Sequence, residues 1–224
     1  RHGNKEMNLL AGATGFLGNE ILNELGLLED QTLVVTRRKM DTLPMNTDQL
    51  IIDFNKILEL DLPQIDHVFL SLGFPLSFHN VMGFMNKNHK DGLFLVDLTY
   101  QLEMAKMAKE AGAKEISIIS AVGANSQSWN YYLKIKGMVE KELINIGFDS
   151  TNIFQPGHLR GNKYRFDILL ADMVSILFDP FLHGPLKKFR SISAKAVAKQ
   201  MVDNSLKSEP GINYFNFTDF QPWR

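Results

Sequence analysis

Short β-branched apolar runs alternate along this chain with longer stretches of helical spacing. Met7–Ala11 is an apolar run that ends at a glycine-rich turn, and in residues 16–28 Phe16, Leu17, Ile21, Leu22 and Leu25 recur near one helical face. Residues 32–36, 50–54 and 67–72 read as strands two to four, with Asp53 near the end of the third. A long helix is predicted over 93–111, a fifth strand over 115–120, a second long helix over 129–146 and a sixth strand over 151–155. Alternation of this kind predicts a parallel sheet covered by helices on both faces. Right-handed crossovers then make it a doubly wound α/β sheet, with the strand order 3-2-1-4-5-6.

Beyond Pro156 the pattern weakens. A helix over 166–178 ended by Pro180, a helix Ala194–Ser205 capped by Ser193 and a late strand over 213–217 are expected. Nothing in the composition divides the chain, so residues 1–224 read as one domain, with a small C-terminal substrate lobe drawn mainly from 158–193.

Composition narrows the function classes. Of 224 residues 45% are apolar and 22% charged, which supports a packed core rather than a disordered chain. The net charge of −1, from 24 basic and 25 acidic residues, provides no overall field to draw in nucleic acid or an anionic membrane. With no cysteine, disulfides, thiolate metal sites and cysteine nucleophiles are excluded. That absence suits a reducing compartment, and the expectation is a cytoplasmic protein. No apolar run approaches the ~20 residues of a membrane-spanning helix. Residues 1–4 read as a frayed end, and no apolar signal-peptide core follows them.

Gly12-Ala13-Thr14-Gly15-Phe16-Leu17-Gly18 follows a predicted strand and opens a predicted helix. In that setting Gly12 permits a tight turn, Gly15 a close approach of backbone to a pyrophosphate, and Gly18 close packing of helix on sheet. Thr14, Phe16 and Leu17 complete the cradle, and the positive end of the helix faces the phosphates. The competing reading is a strand-to-helix turn with incidental glycines. The second strand ends Val35-Thr36-Arg37-Arg38-Lys39, and three cations there suit a 2′-phosphate, hence NADP(H). Arg37 is the leading candidate, with Arg38 beside it, because guanidinium grips phosphate and stacks on adenine; a solvated basic loop is the alternative. Asp53 is placed either to meet the adenine edge or to cap its own loop. Ser71, Leu72 and Gly73 close the fourth strand, where Gly73 would let the chain pass close to the cofactor.

Tyr132 and Lys136 lie four residues apart, on one face of a helix. An ammonium beside a phenol lowers its pKa from ~10, so that it can trade a proton with a carbonyl or alcohol near neutral pH. Tyr131 has no such lysine. Ser120, at the end of the fifth strand, could bond the same substrate oxygen.

These segments together resemble the short-chain dehydrogenase/reductase superfamily, and within it the atypical branch that contains the Tat-interacting tumour-suppressor oxidoreductase and its bacterial relatives. The resemblance runs over residues 7–162 and keeps the family order. It implies a Rossmann fold, NADP(H) binding, and catalytic roles for Ser120, Tyr132 and Lys136. It also carries cofactor contacts onto Asp53 and Phe54, and sets Pro156, Gly157, His158 and Leu159 beside the nicotinamide. Many members of the superfamily have a relay asparagine in the helix before the fifth strand; the register puts Asp97 there. The branch is also linked with regulatory and protein-binding roles.

The expected activity is therefore NADPH-dependent hydride transfer to or from a small carbonyl or alcohol, in a monomer or homodimer. The alternative is an NADP(H)-holding sensor or protein-binding module without turnover. Nucleic acid and membrane are not expected partners, and the six histidines show no metal-ligand spacing. Phe74, Phe78, Met82, Phe84 and Met85 would line either a pocket or the core, and Arg160, Lys163 and Arg165 either an anion site or a solvated loop.

Overall fold

The computed structural model describes residues 5–160 and 179–220. Strands β1 (Met7–Ala11), β2 (Gln31–Thr36), β3 (Thr47–Ile51), β4 (His67–Leu70), β5 (Glu115–Ile119) and β6 (Ser150–Gln155) pair in parallel in the order 3-2-1-4-5-6. A two-stranded pair, β7 (Leu159–Arg160) with β8 (Ile192–Ser193), stands apart, and β9 (Gly211–Asn216) adds a seventh strand beside β6. The expected doubly wound α/β sheet is present, one strand wider.

The period-2 alternation of the strands feeds two cores. Leu9, Ala11, Val68, Leu70, Ile116, Ile118 and Ile153 point to one face. There they meet α4 (Tyr100–Glu110) and α5 (Tyr131–Ile146), through Met104, Ala105, Ala108, Ile135, Val139 and Leu143. Leu10, Val34, Phe69 and Phe154 point to the other, against α1 (Phe16–Leu25) and α6 (Ala194–Ser205), through Leu17, Ile21, Leu22, Val197 and Met201. Ser193 caps α6 through its side chain, as expected, at 3.2 Å from the Ala196 N–H.

Three elements differ from the sequence expectation. β3 ends at Ile51, so Asp53 lies outside it and opens a 3₁₀ turn, Phe54–Glu59. The helix expected over 93–111 is broken: α3 (Lys87–Leu93) passes into a π-helical turn (Phe94–Thr99) before α4 begins. Helix α5 starts at Tyr131, capped by the Asn130 side chain on the Leu133 N–H, which leaves Trp129 wholly exposed. The helix expected over 166–178, half of the expected substrate lobe, Lys163 and Arg165 lie outside the described residues. A short turn, α2 (Phe78–Val81), follows β4.

Candidate active site

The chain leaves β1 into a turn that only glycine fits. Gly12 has φ +100°, and a Cβ there would lie 2.5 Å from the Ser71 carbonyl carbon. A Cβ on Gly18 would lie 2.0 Å from the Gly12 oxygen, so α1 packs directly on the turn. Gly15 is the N-cap of α1, with no side-chain cap bond, and no acidic residue occupies the first turn. The positive helix end is therefore not neutralised by an acidic side chain of its own first turn.

A cleft of about 380 Å3 opens at this point, at the C-terminal ends of the central strands. Gly12, Thr14, Gly15, Phe16 and Leu17 line its start, and Thr36 and Arg37 the end of β2. Ser71, Leu72 and Gly73 follow from β4, then Tyr132 and Lys136 from α5 and Leu159 from β7. Phe54 joins them, buried and edge-on to Tyr100 at 5.7 Å between ring centres. Gly73 faces open space, so no neighbouring protein atom demands a glycine there.

Other expected residues stand elsewhere. Arg38 is exposed and not in the lining; its carbonyl accepts from Thr36 Oγ1 and Gln49 Nε2, which shapes the loop that presents Arg37. Asp53 caps its own turn, accepting from the Asn55 N–H at 3.0 Å and from Asn55 Nδ2 at 2.9 Å, so of its two expected roles the structure shows the loop cap. Pro156, Gly157 and His158 do not line the cleft. Pro156 accepts from the Val122 N–H, Gly157 packs against the Phe189 and Arg190 carbonyls, and the His158 carbonyl accepts from the Ile192 N–H. The Pro156 bond ties the loop after β5 to the end of β6, and the Gly157 and His158 contacts dock the segment around β8 there. Met82 and Phe84 are exposed and outside the lining, whereas Phe74 is in it.

The three expected catalytic residues belong to a polar group at and behind the cleft wall. Lys136 Nζ lies 2.8 Å from Asp97 Oδ1 and 5.8 Å from the Tyr132 ring centre. Asp97 Oδ2 accepts from the Phe74 N–H at 2.7 Å. One turn further along α5, Glu140 accepts from Ser120 Oγ and, at 2.9 Å, from Gln155 Nε2. Ser120 is buried and does not line the cleft, so the structure brings Tyr132 and Lys136 to its surface but holds Ser120 behind it.

Charges shift accordingly. Burial pulls the Lys136 ammonium down, but Asp97 first, then Tyr132 and Glu140, outweigh it and hold it above its ordinary value. Burial pushes the Tyr132 phenol up; Lys136 pulls it down, Asp97 adds to the rise, and the result lies above the ordinary tyrosine value. The expected lowering by Lys136 is thus present but does not win. Burial also raises the Glu140 carboxyl, against its bonds from Ser120 and Gln155 and the charge of Lys136.

Sequence reasoning missed Glu140, Tyr100 and most of the apolar wall: Pro75, Leu76, Val81 and Val96 join the expected Phe74. Tyr100 donates to Asn55 Oδ1 at 2.6 Å and has no distinguishing spacing. Glu140 follows Lys136 by four residues on one helix face, which is the single signal that could have found it.

No family model matches the chain. The mitochondrial protein FMP52 of Kluyveromyces lactis is 32% identical over 161 residues, covering 69% of this chain and 68% of that protein. HTATIP2 of Rattus norvegicus is 32% identical over 162 residues, covering 70% of this chain and 63% of that protein. Among solved structures, ElxO with NADP bound superposes with a TM-score of 0.72 at 13% identity, over 96% of this chain and 99% of that one. MoeE5 in complex with UDP-glucose and NAD gives 0.68 at 14%, over 95% and 79%. These two establish the fold.

The cytoplasmic expectation is corrected by the relatives: FMP52 of Kluyveromyces lactis and of Lodderomyces elongisporus are both named mitochondrial. Absence of cysteine, on which it rested, distinguishes one reducing compartment from another in no way. Among the described residues no helix is long and apolar enough to cross a membrane. A sheet wound as in dinucleotide-binding structures, and sequence shared with FMP52 over two thirds of both chains, lead to one assignment: this chain belongs to the atypical short-chain dehydrogenase/reductase family of HTATIP2 and FMP52, and has its NAD(P)-binding oxidoreductase fold.

Proposed function

We propose that the protein is an NADP(H)-dependent oxidoreductase acting on a small carbonyl or alcohol. One observation carries the reading: the glycine turn, Arg37, Tyr132 and Lys136 open onto a single continuous cleft. The residues fit a dinucleotide. The turn has no room for a Cβ at Gly12 or Gly18, and the end of α1 is free of acidic side chains. Arg37 is exposed at the place where a 2′-phosphate would be gripped, which favours NADP(H) over NAD(H). When bound, the dinucleotide supplies or accepts the hydride.

The chain's own residues do the rest. The backbone of residues 12–18 binds the pyrophosphate, and Arg37 the adenosine end. Tyr132 gives its proton to the substrate oxygen during reduction, and Lys136 holds a positive charge beside it and the ribose hydroxyls. Phe74, Leu76 and Val81 wall the cleft with apolar surface and exclude water. Ser120 can serve the substrate oxygen once its hydroxyl turns from Glu140.

The test is Tyr132→Phe, assayed with NADPH against a panel of aldehydes and ketones. Turnover should fall by about 10²- to 10⁴-fold, the usual share of a general acid, while NADPH binding is retained. Turnover equal to the wild type removes Tyr132 from the chemistry. The second reading, a dinucleotide sensor without turnover, draws support from Ser120 being tied to Glu140. NADPH binding with no turnover on any substrate of the panel would favour it.

A further inference from the structure

We infer that Asp97 is a positioning residue of this site, whose carboxylate clamps the Lys136 ammonium with one oxygen and the Phe74 amide with the other. It thereby fixes the charge of the lysine and the cleft wall after β4 together. The inference rests on the reading of the cleft as a dinucleotide site.

Both oxygens are committed, Oδ1 at 2.8 Å from Lys136 Nζ and Oδ2 at 2.7 Å from the Phe74 nitrogen. Asp97 is 2% exposed and Lys136 5%, so each has little access to bulk water as a substitute for the other. A buried ammonium without a counter-charge discharges rather than stay ionised. The charged and titratable groups facing Lys136 are Asp97 from the π-helical turn, and Tyr132 and Glu140 from its own helix. Tyr132 and Glu140 act on it with smaller effect than Asp97, and Glu140 is engaged by Ser120 and Gln155. Among the described residues Asp97 is the partner at bonding distance.

The backbone is built to deliver it. A π-helical turn is rare, and it costs the regular helix its ladder at Phe94–Thr99. Here the turn carries Asp97 toward α5. Gln101 Nε2 then bonds the Asp97 carbonyl at 2.9 Å and the Leu72 carbonyl at 3.2 Å, which fastens the turn to the loop after β4. The chemistry also demands a carboxylate. Lys136 and the Phe74 amide are both donors, and an asparagine offers one oxygen and a competing NH2. The relay asparagine found in the wider superfamily could not serve both.

Two measurements test this. The first uses the full-length wild-type protein without dinucleotide: ¹³Cε-lysine NMR over rising pH, with the Lys136 signal assigned by its loss in Lys136→Arg. Lys136 should remain charged at pH 10.5, the ordinary lysine value. Titration of Lys136 at or below that value overturns the proposal. The second follows NADPH binding by fluorescence between pH ~7.5 and ~9.5, a window below the ordinary lysine value. Wild type should bind alike at both ends. Asp97→Asn should lose about tenfold in affinity as its lysine discharges, and Lys136→Met should be weak throughout. Asp97→Asn tracking the wild type overturns the proposal. If Asp97→Asn does not fold, the lysine titration decides. If wild type binds neither NADPH nor NADH, the cofactor reading falls, and the lysine titration still judges Asp97.

Discussion

Burial raises the Tyr132 phenol above its ordinary value of 10.0; Lys136 opposes the rise and Asp97 adds to it. In the proposed reduction the neutral phenol is the proton donor, and it persists through neutral and mildly alkaline pH. Reductive turnover should therefore show no loss from Tyr132 up to pH ~10, and decline only above it. Oxidation needs the phenolate and should rise with pH over the same range. Paired pH–rate profiles in the two directions check this, and a reductive limb falling near pH 7 would contradict it. At this scale the spacing of Tyr132 and Lys136 was legible, because i and i+4 share a helix face whatever surrounds them. Their partners were not. Asp97 and Glu140 reach Lys136 and Ser120 by the packing of separate elements, and a register that sets Asp97 near the site says nothing of a bond to Lys136.

Glycine spacing decides where α1 sits. A methyl on Gly18 would meet the Gly12 carbonyl oxygen and Ala13 Cα, both backbone atoms that cannot swing aside. Gly18→Ala should cost about 1–3 kcal/mol, the range for overpacking, and more where the turn cannot shift. It should also weaken NADPH binding, because the displaced helix end carries the phosphate-facing N–H groups. A denaturant midpoint and a fluorescence titration on the same variant separate the two effects; an unchanged midpoint would mean that α1 is not seated on the turn. At the scale of elements the strands were readable from their β-branched runs, with errors of a residue or two. The larger misreadings share one cause. A run of apolar residues over 93–111 has helical spacing whether or not one extra residue is wound into it, so the π-helical turn leaves no trace in the pattern. The third strand was misplaced because Ile51, Ile52 and Phe54 are apolar, though Phe54 belongs to a 3₁₀ turn and packs on Tyr100.

Across the whole molecule, the cleft draws on the turns after β1 and β4 and on β2, β5, α1, α5 and β7, and thus on both core layers. A ligand bound there and absent from the unfolded chain stabilises the entire fold by mass action. At a hundredfold excess over Kd this amounts to ~2.7 kcal/mol. For a chain of this length each kcal/mol moves Tm by roughly 2–4 °C, so NADPH should raise Tm by about 5–10 °C. The cofactor choice rests on Arg37, the cation of the β2 end that lines the cleft, while Arg38 points its carbonyl inward and stands outside it. NADH at the same concentration should therefore give a smaller shift, and Arg37→Ala should bring the NADPH shift down to the NADH level without lowering the Tm of the free protein. Arg37 is exposed, so its loss leaves no buried group unpaired and costs the fold little. Equal shifts by the two dinucleotides in the wild type would mean no preference, a larger shift by NADH a preference for NAD(H), and an Arg37→Ala shift equal to wild type would place the phosphate contact on Arg38 or Lys39 instead.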